Sequence, residues 1–342
     1  METPKLTAAI KEKFPLGFQW GTLEPFLFCV HHLDHFPKGN GSLGLDSIHF
    51  KGRQMGSDFQ PKDGFRMYHG EEIPGFPVHP HRGFETITIV RQGYADHADS
   101  LGAAGRYGQG DVQWMTAGSG VQHSEMFPLL RTDKNNTLEL FQIWLNLPKK
   151  SKMVPAHFKM FWSEKIPKLL ANDGNVEISL IAGTLEGAIS LSPPPDSWAS
   201  NPDSEIGIYL VKMQKGASWT LPKTKSAVSR MLYFFSGKEL QVGRETISAG
   251  TGLHLDSQIA TELTNSSEAL EFLVLQAKPI GEPVVQHGPF VMNTKAEIMQ
   301  TFEEYRKTQF GGWPWERADV VHGNEVRRFA KYPNGQIETP EK

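Results

Sequence analysis

Apolar residues in this chain recur mostly at every second position, and that period limits the possible folds more than any other feature. ETITIV at 85–90 alternates Thr with Ile or Val. LELFQIWLNL at 138–147, VEISLIAG at 176–183, IGIYLVKM at 206–213 and EFLVLQA at 271–277 follow the same rhythm. Successive side chains of a strand point to opposite faces, so each segment offers one apolar face to a core. Gly, Pro and Asn clusters separate the segments, in keeping with 33 Gly and 23 Pro in 342 residues. Short strands between turns lead to sandwich or barrel domains. The length suits two ordinary domains or one large one.

Two segments break the rhythm. Near the N-terminus, Thr3 as a cap, Pro4 at the first helical position and Leu6, Ile10 and Phe14 on one face predict a short helix. Near the C-terminus, Thr294 and Glu297 fit a capping box. Ile298, Phe302 and Tyr305 form an apolar stripe, and Gly311 and Gly312 end the helix. The Lys- and Pro-rich stretch Leu147–Pro155 is the best linker, which divides the chain into domains 1–150 and 151–342. SPPPDSW at 192–198 reads as a surface loop. Residues 37–75, without period, read as a long loop able to cover a site.

A formal net charge of −3 without a long Lys/Arg run excludes a global drive toward nucleic acid or anionic membrane. Cys29, the lone cysteine, excludes an intrachain disulfide and a Cys-based zinc site, and fits a reducing compartment. No segment resembles a signal peptide or a membrane span. The expectation is a cytoplasmic protein.

The chemistry sits in two pairs. HPHRGFETITIV puts His79 and His81 one residue apart, and GVQHSEMF repeats the spacing with His123 and Glu125. In a strand each pair projects to one face. Pro80 cannot donate to a ladder, so its strand is an edge, a start or a bulge. If the two strands are neighbours, about 4.8 Å apart, four donors converge from two backbones. Either pair alone is more simply a set of surface or hydrogen-bonded side chains; together, in a β context, they point to a metal. Phe84, Trp114 and Met115 adjoin the pairs and suit either an apolar wall for a planar aromatic or the barrel core. His97 and Asp99, also two apart, are assigned to the solvent face. His31, His32 and His35 are read as solvated or loop-packing.

HPHRGFET, GDVQWMTAGSGVQHSEM, QIWLNLP and EPVVQHGPFVMNT together resemble the pirin family of the cupin superfamily, in family order. The resemblance implies an all-β bicupin, two antiparallel barrels with one metal in the N-terminal barrel, here joined to a C-terminal helix. It places the metal ligands on His79, His81, His123 and Glu125. General cupins would instead use Glu85; the pirin pattern leaves Glu85 as a supporting residue beside the ligands. An extra irregular stretch between LEPFLF and HPHRGFET departs from the family and bears on the pocket mouth.

Three imidazoles and a carboxylate suit a first-row divalent ion. The resemblance favours Fe(II); Mn, Ni, Cu and Zn also fit the donor set. It further implies quercetin 2,3-dioxygenation, with a flavonol and dioxygen as substrates and Glu125 as the proton acceptor. The alternative it carries is a metal-dependent regulatory cofactor that binds a protein partner. In the C-terminal half, aligning Gly237 with Gly93 and Gly250 with Gly110 puts Lys223, Lys225, Leu263 and Asn265 where the ligands would stand, so no metal set is expected there. His254 stands alone, and His287 is read as a packing residue.

Overall fold

The structure is a computed structural model that describes residues 9–340. It is mostly β, as the period-two segments require. Strands run over Phe84–Gln92, Asn136–Asn146, Val176–Leu185, Gly207–Met213 and Leu270–Ala277, matching the alternating runs. The helix spans Lys295–Thr308, and its capping box of Thr294 and Glu297 is fully formed.

At the other end the expected helix is absent. Thr3, Pro4 and Leu6 lie outside the described residues, and Ile10 and Phe14 belong to a strand, Ile10–Pro15. That strand pairs with Thr251–Leu255, about 240 residues further along the chain. Six residues are too few to hold a helix by local propensity against such a ladder.

The chain forms two compact units. One comprises residues 1–30 and 165–281, the other 31–164 and 282–342. In the first, one sheet orders the strands Ile10–Pro15, Thr251–Leu255, Ser229–Ser236, Leu270–Ala277, Gly207–Met213, Val176–Leu185 and Lys168–Ala171. A second sheet orders Ser218–Leu221, Thr261–Thr264, Glu239–Val242 and Glu245–Ser248. Leu180, Val211, Leu232, Phe272 and Val274 lie in its fully apolar core.

The second unit repeats the plan. One of its sheets orders His157–Phe161, Asp111–Thr116, Phe84–Gln92, Asn136–Asn146 and residues 31–36 of the Phe26–Phe36 strand. The facing sheet runs Ala104–Gly108, Tyr94–Asp99, Val121–Met126, Gly75–His81, with Phe329–Lys331 and Ile337–Glu338 added beyond Ala104–Gly108. Gly75–His81 is thus an edge strand, the position that Pro80 demands.

The stretch Leu147–Pro155 is packed inside this unit rather than linking domains. Buried Lys152 explains why: its amine donates to the Gly83 carbonyl (2.8 Å), Asn146 Oδ1 (2.7 Å) and the Val291 carbonyl (3.2 Å). Residues 37–75 are irregular but well tied. Buried Tyr68 donates to Asp34 Oδ2 at 2.5 Å and meets His32 Nδ1 at 2.6 Å, so His32 is a buried packing residue.

Candidate metal centre

The edge strand Gly75–His81 pairs antiparallel with Val121–Met126, and the register sets His79 opposite His123 and His81 opposite Val121. Because same-face residues recur every second position, His79, His81, His123 and Glu125 all project to one side. The ring centroids are 4.8 Å apart for His79–His81, 4.4 Å for His79–His123 and 4.9 Å for His81–His123. One nitrogen from each of the three lies within 4.8 Å of the others, close enough to hold one metal ion. Glu125 Oε2 is 3.8 Å from His123 Nε2.

Burial favours the neutral imidazoles that a metal needs, against the opposing pull of backbone hydrogen bonds to His79 and His81. Loss of solvent pushes the pKa of His79 down to about 4 and that of His81 and His123 well below the usual value, and the mutual proximity of the rings adds to it for His81 and His123. His79 Nδ1 is engaged with the Pro77 carbonyl at 2.9 Å, which leaves Nε2 for the centre. Neither nitrogen of fully buried His123 has a hydrogen-bond partner among the described residues. A buried polar atom left without a partner is costly, and a metal would supply what is missing.

Backbone geometry presents the pairs. Arg82 follows His81 directly. Its guanidinium binds Glu304 of the helix bidentately, both contacts at 2.9 Å, and Nε donates to the Ser119 carbonyl at 2.7 Å. Tyr305 of the same helix donates to Gln122 Oε1 at 2.9 Å, beside His123. The helix therefore braces both ligand strands. Gly83 has φ +83°, and a Cβ there would meet the Val291 carbonyl oxygen at 2.0 Å, so only glycine fits this turn.

Around Glu125 lies a polar network that the sequence reading missed. Thr88 Oγ1 is 3.0 Å from Glu125 Oε1 and 2.5 Å from Gln142 Oε1, and Gln142 Nε2 donates to Glu125 Oε2 at 3.1 Å. One hydroxyl proton cannot serve two acceptors. Thr88 therefore donates to one of the two oxygens at a time, and the Gln142 amide holds the other Glu125 oxygen. Burial raises the Glu125 pKa, against the opposing pull of His97, Thr88 and Gln142. No feature of Thr88 or Gln142 in the sequence sets them apart; both are inward positions of strands in register, Thr88 opposite Gln142.

His97 and Asp99 require a correction. Both are buried, not solvent-facing. Their strand places His97 opposite Glu125 and Asp99 opposite His123. The His97 ring stacks on Phe158 at 4.9 Å and lies 5.5 Å from His123. Their two-residue spacing, the same as in both ligand pairs, is the signal that would have found them.

Of the three expected aromatic or apolar contacts, Phe84 lies 5.0 Å from the His81 ring and 4.4 Å from Trp144. Met115 clusters with Val121, on the ligand side of its strand. Trp114 points to the opposite face and packs 6.0 Å from Phe161. Glu85 is on that face too, accepting from Thr116 Oγ1 at 2.7 Å. From the irregular stretch, Tyr68 stacks on Phe76 (5.1 Å), which meets His79 (6.3 Å), so that segment reaches the ligands through a chain of rings.

In the other barrel the corresponding strand pair sets Trp219 opposite Leu263 and Leu221 opposite Thr261. Trp219, Leu221 and Leu263 lie in its apolar core. The Lys223 and Lys225 of the sequence alignment come after the end of the Ser218–Leu221 strand, so Trp219 and Leu221 hold the inward places.

Two antiparallel barrels with matching strand orders, one carrying a histidine cluster on its edge-strand pair, define a bicupin. The family model "Pirin" matches residues 45–145 and "Pirin C-terminal cupin domain" matches 208–311. The chain is 37% identical over 242 residues to Pirin-1 of Arabidopsis thaliana, covering 69% of this chain and 78% of that one. It is 35% identical over 239 residues to a pirin-like protein of Caulobacter vibrioides, covering 70% and 81%. The crystal structure of quercetin 2,3-dioxygenase from Acinetobacter baumannii superposes with a TM-score of 0.69 at 27% identity, covering 89% of this chain and 98% of that one. The chain belongs to the pirin family. Among the described residues, no helix is long and apolar enough to cross a membrane.

Proposed function

We propose that this pirin is a metal-dependent dioxygenase of quercetin type, acting in the cytoplasm on a flavonol. The observation that carries the reading is the convergence of His79, His81 and His123, with Glu125 beside them and both nitrogens of His123 unpartnered. The named activity of the Acinetobacter baumannii relative supports it. His79, His81, His123 and Glu125 would hold Fe(II), with Mn, Ni, Cu and Zn compatible with the same donors. The metal, when bound, supplies Lewis acidity toward the flavonol 3-hydroxyl and a route for electrons to dioxygen.

The chain's own residues account for the rest. Glu125 takes the 3-hydroxyl proton, and Thr88 Oγ1, 3.0 Å from its Oε1, orients the carboxylate. Its raised pKa, from burial, makes the carboxylate a stronger base than one in water. Gln142 fixes the other oxygen. Phe84 and Met115 supply apolar surface on the ligand side for the planar ring system, and the Phe76–Tyr68 contact orders the segment next to His79.

The test is metal content with aerobic quercetin turnover, on the wild type and on H123A. Stoichiometric metal and turnover, both lost in H123A, are the expected result. Bound metal without turnover of quercetin would overturn the flavonol assignment and leave the centre to another substrate or to a regulatory role.

A further inference from the structure

The barrel without the histidine cluster holds a buried cation with no ion pair among the described residues. Arg230 is 1% exposed, and its side chain shares the inward face of its strand with Leu232 and Phe234. Nε donates to Gln276 Oε1 at 2.8 Å and Nη2 to the Pro222 carbonyl at 2.9 Å, but Nη1 is buried with no hydrogen-bond partner among the described residues. A buried guanidinium answered only by neutral oxygens is an expensive arrangement. Burial pushes its pKa down to about 10, against the attraction of Tyr209, Asp256 and Glu205.

A cleft of about 580 Å3 lies in the same unit. Its lining includes Lys223, which directly follows Pro222, and Glu205, whose carbonyl is 3.5 Å from Gln276 Nε2. Arg230 and Gln276 thus tie together the backbone beside Lys223 and at Glu205, two positions of the lining. Lys223 and Lys225 are exposed along the lining. Glu205, the carboxylate there, is spent internally: it accepts from the Lys225 amide (2.8 Å), the Ser226 amide (2.9 Å) and the Ser226 hydroxyl. It is held in the left-handed region at φ +45°, an unfavourable conformation for Glu that fixes the Lys225 loop. The remaining lining mixes hydroxyls, Thr184 and Ser190, with apolar Ile189, Leu191 and Pro193.

We propose that this cleft is a binding site for an organic carboxylate, separate from the metal centre: the charged end meets Lys223 and Lys225, whose backbone Arg230 and Glu205 anchor, and the apolar body lies on Ile189, Leu191 and Pro193. An apolar wall beside the cations selects a carboxylate with a hydrocarbon body over a bare inorganic anion. The proposal rests on no catalytic reading of the histidine cluster.

Benzoate is the probe, titrated calorimetrically into the full chain at low salt, with benzamide as its neutral counterpart and inorganic phosphate as the bare anion. Benzoate is expected to bind wild type, to bind K223Q/K225Q about tenfold more weakly, and to bind H123A as it binds wild type; benzamide and phosphate are expected to bind far more weakly. The two lysines are exposed, so the double variant keeps the fold. Benzoate affinity unchanged in K223Q/K225Q, or lost in H123A, would overturn the site. Equal affinity for benzamide would remove the role of charge, and equal affinity for phosphate would remove the role of the apolar wall.

Discussion

The two barrels share a strand order and differ in what one strand pair turns inward. Gly75–His81 with Val121–Met126 presents three histidines and a glutamate; Ser218–Leu221 with Thr261–Thr264 presents Trp219, Leu221 and Leu263. Strand pairing and apolar faces build the same architecture in both cases. The metal donors are therefore an addition to the fold and not a requirement of it. Where they are absent, large apolar side chains occupy the equivalent places.

The largest effect expected is from H123A. It removes a donor at the centre of the cluster, and elemental analysis should find the stoichiometric metal gone, with turnover lost alongside. A variant that kept its metal would mean the two barrels do not differ in the way proposed.

E125Q comes next. Metal should be largely retained while quercetin turnover falls by about 10²–10⁴-fold, the usual range for losing a positioned proton acceptor. Full turnover in E125Q would remove Glu125 from the chemistry and leave it as a structural neighbour of His123.

On the apolar side, W219A should destabilise the protein by about 3–5 kcal/mol in urea unfolding without altering metal content. Loss of metal in W219A would show that the barrel cores are not independent of the centre.

The smallest effect is on acid stability. His79 titrates at about 4 in the fold against 6.5 when exposed, with His81 and His123 shifted the same way. The unfolded chain takes up protons below pH 6.5 that the fold refuses until about pH 4. The stability of chelator-treated protein should therefore be flat above pH 6.5 and fall as pH drops through that window. Hydrogen exchange at pH 5 should weaken first in residues 31–164. Earlier loss in residues 165–281 would reverse the assignment of acid sensitivity to the histidine-bearing barrel.

Much of this was legible in one dimension. Alternation fixed which residues of Phe84–Gln92 and Leu270–Ala277 could share a core, because a strand's side-chain period is two whatever it pairs with. The capping box announced the C-terminal helix because its contacts are three residues apart. The His79–His81 and His123–Glu125 spacings put each pair on one face for the same reason. What depended on remote partners was not legible. Ile10–Pro15 is a strand because Thr251–Leu255 offers it a ladder. His97 and Asp99 are buried because Val121–Met126 lies beside them. Thr88 and Gln142 meet Glu125, and Trp114 turns away, only once the register of three strands is set. Local periodicity and spacing act through the covalent chain and can be read from it. Register and the choice of neighbours are decided by which strands pair and which faces close on each other, and these belong to the folded molecule.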